Sequence, residues 1–210
     1  RARADSVAPD LGAYESNLNS PADYSSVTWH VATTGTDSAV YGSSASADSP
    51  FNTLQWAMNH LLEGDSVIIH PGDHAGSADN GGKSVHIKGN TFAPDEVSIL
   101  GELEFSGGNN SVNLLRVSNT SGDGINISAG AVSIAYVLVD NSSGKAIALS
   151  TAAEAALNNI TISGSGYGLY DNSSGSVTMV NSIVWGNTTA IDGNPVVTYS
   201  DISGGYTGTG

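Results

Sequence analysis

The chain has 210 residues, enough for one domain with a sizeable core. Only 12% of residues are charged, and six basic side chains against 20 acidic ones leave a formal net charge of −14. That balance excludes nucleic acid as a partner, because phosphate binding needs a basic face, and it disfavours anionic polysaccharides unless a cation bridges them; divalent cations, neutral glycans and another protein surface, including a second copy, remain. The lack of Cys excludes disulfides, iron–sulfur clusters and thiol catalysis. No apolar run approaches the roughly 18 residues of a membrane-spanning helix, so no transmembrane segment is expected.

In chain order, residues 1–26 read as a non-repetitive lead segment. Val27 to Val31 is a first strand, and residues 33–50 are a loop of Gly, Ser, Asp and Ala. Leu54, Ala57, Met58, Leu61 and Leu62 then fall on one stripe, which predicts an amphipathic helix over about residues 53–62 that starts near Pro50 and ends at Gly64. Ser66 to His70 is a buried strand stopped by Pro71-Gly72, and further strands follow at Val85 to Lys88 and Val97 to Leu100.

Beyond residue 100 an apolar residue followed by a second one three places later recurs as Leu114/Val117, Ile134/Val137, Leu157/Ile160, Val180/Ile183 and Tyr199/Ile202, at steps of 20, 23, 23 and 19 residues. A small residue followed by an apolar one recurs in phase: Gly124-Ile125, Ala146-Ile147, Gly168-Leu169 and Ala190-Ile191. Repeats of this length build a solenoid. No leucine-rich motif is present and no helix fits inside a repeat, so the reading is an all-β, right-handed parallel β-helix over residues 27–210 with coils of 19–23 residues. The helix-prone stretch Thr151 to Asn158 is taken as strand because its phase matches the other coils. The helix caps the N-terminal end of the stack; the C-terminal end, Ser203 to Gly210, is expected to be uncovered.

The blocks from Trp29 to Asp37, from Ser49 to Ala57 and from Glu63 to Gly72 together resemble the start of pectate-lyase-like parallel β-helix domains, and Asn181 to Asn187 and Tyr199 to Ile202 resemble the final coils of secreted bacterial members. The resemblance implies an extracellular or cell-surface location. It also implies a superfamily containing polysaccharide lyases and hydrolases, in which a lyase uses a Lys or Arg base beside acidic calcium ligands. No family catalytic motif is matched here. Among Lys83, Lys88, Arg116 and Lys145, the candidates beside strands are Lys88 and Arg116. Asp10-Leu11-Gly12-Ala13-Tyr14-Glu15 resembles a segment that usually follows the last coil, yet here it precedes the first. It is the remnant of a preceding domain in a longer chain, a coincidence, or an assembly strand that docks on the C-terminal end of a neighbouring copy, giving a head-to-tail filament.

The remaining chemistry is sparse. His70, Asp73, His74 and His86 are the clustered metal-type ligands, although Zn²⁺ needs three or four such groups converging. Asp140, Asp171, Asp192 and Asp201 stand at unequal offsets from the apolar pairs, which weakens a two-carboxylate hydrolase. Asp123 between Gly122 and Gly124 reads as a tight turn rather than a calcium loop. The expected function is therefore a non-catalytic structural or adhesive module that requires no cofactor, with calcium left open and with itself or a neutral glycan surface as partner. The alternative is a polysaccharide-active enzyme.

Overall fold

The computed structural model describes residues 26–38 and 47–208. Asp10 to Glu15 and most of the lead segment lie outside the described residues. The first strand, β1 (Thr28–Val31), leads to helix α1 (Leu54–His60). A first coil follows as three short strands, β2 (Asp65–Ile69), β3 (Gly72–Ala75) and β4 (Ala78–Asp79). The second coil opens with β5 (Val85–Gly89) and β6 (Val97–Leu100). Three long strands then bend around corners from one coil to the next: β7 (Leu103–Ser118), β8 (Ile125–Asp140) and β9 (Lys145–Asn158). The last coils return to short strands, β10 (Thr161–Ser163), β11 (Tyr167–Asp171), β12 (Val177–Val180), β13 (Ile183–Trp185), β14 (Thr189–Asp192), β15 (Val196–Thr198) and β16 (Asp201–Ile202).

Every pairing between these strands is parallel, and together they make one 16-stranded sheet wound into about six turns. The chain is a parallel β-solenoid. Three faces follow from the registers. The first stacks β1, β2, β5, the middle of β7 and β8, the end of β9, β12 and β15. The second stacks β3, β6, the ends of β7 and β8, β10, β13 and β16. The third stacks β4, the starts of β7, β8 and β9, then β11 and β14.

Inward positions line up as aliphatic columns. Leu103, Ile125, Ile147, Leu169 and Ile191 form one, as the small-apolar repeat predicts. Ile87, Val112, Ile134, Leu157, Met179 and Val197 form another, and Ile99, Val117, Val139, Ile162, Val184 and Ile202 a third. One continuous core runs from Val31 to Ile202. From Val112 the second column advances by 22, 23, 22 and 18 residues.

The apolar pairs read from the sequence are correct for Ile134/Val137 and Leu157/Ile160 and displaced elsewhere. The inward pairs of the other coils are Val112/Leu115, Met179/Ser182 and Val197/Ser200. Two physical reasons account for the slip. From β7 onward, the corner between the first and second faces holds one residue per coil in the left-handed region, at φ 50–56°: Leu114, Tyr136, Asn159, Asn181 and Tyr199. Such a residue breaks strict alternation. In the later coils the inward corner residue is a serine, whose hydroxyl serves the backbone: Ser182 Oγ accepts from Ile160 N at 3.3 Å and donates to Val180 O at 2.8 Å, and Ser200 Oγ accepts from Ser182 N at 3.1 Å. Apolar spacing cannot find a serine.

Asn tolerates this left-handed corner, whereas a bulkier L-residue costs roughly 1–2 kcal/mol there. Leu114, Tyr136 and Tyr199 occupy it nonetheless, and Tyr136 and Tyr199 remain 54% and 88% exposed. A second local exception is the bulge in β7 and β8. Gly130 has φ +81°, and a Cβ there would lie 2.4 Å from Gly108 O, so no other residue fits between these coils.

The helix caps the stack as predicted but is shorter. Thr53 is its N-cap, with Oγ1 accepting from Trp56 N at 3.3 Å, and Asp37 braces that turn by accepting from Asn52 N at 2.8 Å and from Thr53 Oγ1 at 2.6 Å. Pro50 lies ahead of the helix, next to Phe51, which bridges to Val31. Leu54, Ala57, Met58 and Leu61 are buried on the first coil. Leu62, past the helix end, loses the helical phase and is exposed. The opposite end is also more covered than expected. Tyr206 packs against the core and donates its hydroxyl hydrogen to Pro195 O at 2.7 Å. Among the described residues no helix is long and apolar enough to cross a membrane.

Candidate functional site

The described residues contain four basic side chains, and three are engaged. Lys83 Nζ donates to Met58 O at 2.9 Å, tying β5's approach to the cap helix. Lys145 Nζ lies 3.6 Å from Asp123 Oδ2 and 4.6 Å from the centre of the Tyr170 ring. Arg116, on the second face, makes a two-pronged pair with Asp140 of the next coil: Nε donates to Oδ1 and Nη2 to Oδ2, both at 2.9 Å. The hydrogen bonds to Asp140 hold the guanidinium above its ordinary range, with Asp73 and Asp95 adding to the effect. A general base must release its proton near the working pH, and this environment moves Arg116 the other way.

Lys88 is exposed on the first face. Its column runs from His30 and Ile68 through Lys88 to Asn113, Ala135 and Asn158. The neighbouring column runs from His86 through Ser111, Ser133, Ala156 and Thr178. Neither contains a carboxylate. The first face is thus rich in Ser, Thr, Asn and Ala, with Lys88 near one end and one carboxylate, Glu154, in the next outward column after Asn109 and Ala131.

The histidines and Asp73 are not brought to one point. His74 points inward and is buried, with Nε2 2.8 Å from His70 O and with Nδ1 unpartnered in the core. His86 points outward and its Nδ1 meets Ser111 Oγ at 3.0 Å. Asp73 stands on the second face in register with Ser98, which is in register with Arg116. Among the described residues no group of three or more His, Cys, Asp or Glu is placed to hold a metal ion. At the turn, Asp123 Oδ1 accepts from Lys145 N at 2.7 Å. Near it, burial and the carboxylates of Asp123 and Glu104 push Glu102 above the usual carboxylate range.

The residue that spacing alone overlooked is His30. Its Nδ1 lies 3.0 Å from His70 Nε2, one ring donating to the other, with ring centres 5.2 Å apart. Burial, and then the proximity of His70, lower the pKa of His30 below its ordinary value. The link is visible only once β1 is laid on β2. A lowered value means the folded protein resists protonation at His30, so its contribution to stability is present above the unfolded value near 6.5 and is lost as pH falls through the folded one. The parent protein is expected to lose stability relative to His30→Gln as pH drops from 7.5 toward 5, measured as the difference between their urea midpoints. That difference removes the opposing effect of Glu102, which favours the fold on acidification. Parallel midpoints at all pH values would show that the pair does not resist protonation.

No family model matches the chain, and no curated protein matches it. Among solved structures, the crystal structure of pectate lyase Pel9A is similar, at 11% identity over 84% of this chain and 69% of that chain, with a TM-score of 0.32. The parallel β-helix is established by the strand registers described above.

Proposed function

We propose that the chain is a non-catalytic β-helix module, structural or adhesive, working outside the cell or at its surface. The observation that carries this reading is the distribution of its cations. Arg116 is bound by Asp140, Lys83 by a carbonyl of the cap helix and Lys145 by Asp123 and the Tyr170 ring, and Lys88 has no carboxylate in its own column or in that of His86. A lyase site needs a base beside acidic ligands for a divalent cation, and a hydrolase site needs two facing carboxylates. A first face made largely of Ser, Thr, Asn and Ala, with Glu154 as its outward carboxylate, instead suits contact with a neutral partner.

Incubation with pectate, alginate and chondroitin, with and without calcium, is expected to release neither unsaturated products nor new reducing ends. Product from any of them that is lost in Lys88→Ala or in Lys145→Ala would replace this reading with the enzymatic one. Head-to-tail stacking of copies is the finer form of the structural reading. It rests on the unlike ends of the solenoid, and a contact at the last coil has to displace or include Tyr206. Sedimentation that finds only monomer at high concentration removes the stacking and leaves the module.

A further inference from the structure

We infer that the corner carrying Tyr136, together with the loop before β6, is a binding groove for a neutral sugar chain. The inference rests on the adhesive form of the function proposed above. Residues Phe92, Leu114, Tyr136 and Leu138 supply an apolar groove of roughly 480 Å³, with Asn159 and Thr161 along one side.

Three observations on different levels converge here. The first is conformational. Asn159 and Asn181 occupy the left-handed corner at little cost, yet the same corner holds Leu114 and Tyr136 in successive coils, and Tyr199 further along. Burial does not offset the strain at Tyr136, which is more than half exposed. Strain kept at an exposed aromatic points to use of that side chain. The second is presentation. Phe92 is 98% exposed on a loop that is braced rather than loose. The Thr91 hydroxyl donates to the Glu96 carboxylate and accepts from Ala93 N at 3.0 Å, Glu96 N donates to Ala93 O at 3.0 Å, and Asn90 N donates to Ile69 O at 2.7 Å. A rigid loop holding a bare ring over a groove loses little entropy on binding.

The third is charge. The groove is lined by one carboxylate, Asp95, and no basic side chain. Arg116, whose guanidinium feels Asp95, is already bound by Asp140. With a net charge of −14 and Asp95 as the charged group in its lining, the groove repels an anionic ligand. A neutral pyranose chain meets what remains: its C–H faces lie on the Phe92 and Tyr136 rings, and its hydroxyls reach the Asn159 amide, the Thr161 hydroxyl and the Asp95 carboxylate.

Isothermal titration with cellohexaose, xylohexaose and chitohexaose, with hexagalacturonate as the anionic comparison, tests this. At least one neutral oligosaccharide is expected to bind, and Phe92→Ala and Tyr136→Asn each to weaken it about tenfold or more, while Lys145→Ala leaves it unchanged. Phe92 is fully exposed, so its variant keeps the fold; Tyr136→Asn is expected to melt above the parent, separating lost binding from lost structure. The groove is rejected if no neutral probe saturates, if hexagalacturonate binds tighter than all three, or if Phe92→Ala instead splits a dimer seen by sedimentation, which would mark a protein contact. A Tyr136→Asn variant that melts below the parent overturns the strain argument. Lost binding without product release refutes the groove alone, whereas product release refutes the non-catalytic reading beneath it.

Discussion

Asp65→Ala is expected to lower the unfolding free energy by roughly 3–5 kcal/mol, an unusually large effect for one polar side chain. Asp65 is fully buried beneath the cap. Its Oδ1 accepts from Val27 N at 2.7 Å, and its Oδ2 accepts from Trp29 Nε1 at 2.8 Å and Leu62 N at 2.9 Å. One carboxylate therefore holds the strand before the helix, the chain leaving the helix, and β2 itself. Hydrogen bonds to an ionised acceptor contribute about 1.5–3 kcal/mol each, and a buried donor left without an acceptor adds its desolvation cost. Asp65→Asn is expected to be nearly as harmful, because its amide turns a donor toward donors. Urea unfolding followed by Trp fluorescence measures both. A loss below about 1 kcal/mol for Ala would mean that water replaces the carboxylate, contrary to the closed packing around it.

The second large effect is in the aliphatic columns. Ile147 lies in register between Ile125 and Leu169 and is fully buried. Ile147→Ala removes contacts to coils on both sides, and the backbone ladder prevents the coils from collapsing into the space, so a loss of roughly 2–5 kcal/mol is expected. Ile202 sits at the last rung, paired through its strand with Val184 on one side. Ile202→Ala is expected to cost less than about half as much, because in a solenoid each coil is stabilised by its immediate neighbours. Denaturant midpoints at unchanged slope report the two values. Equal losses would argue that residues 203–208 pack on Ile202 as firmly as a further coil.

Much of the fold was legible because its signals are local and repetitive. The Gly-Ile, Ala-Ile, Gly-Leu and Ala-Ile pairs mark the third face, and at Gly124 and Gly168 the small residue is needed because a Cβ there would come within 2.7 Å of the next coil's carbonyl oxygen. The strand over Thr151 to Asn158 was legible from phase in spite of its helix propensity, because pairing with β8 decides it. Less legible were features that depend on polar atoms inside the solenoid. Ser182 and Ser200 replace apolar residues at the corner, and no hydrophobic pattern announces them. The site was less legible still. Arg116 reads as a candidate base until its partner Asp140, 24 residues later, is placed beside it. His30 and Phe92 draw notice only once the coils are stacked, because what distinguishes them is a neighbour from another coil or the lack of one.

The strand registers also determine how the molecule answers a pull. Its inter-strand hydrogen bonds run along the solenoid axis, coil to coil. Tension applied along that axis loads one coil boundary after another, so the chain should peel in steps of about one coil at modest force. Tension applied along the strands loads a whole row of bonds together and meets much greater resistance. A module anchored through one flank would be stiff, and the same module strung end to end would be an extensible, stepwise shock absorber.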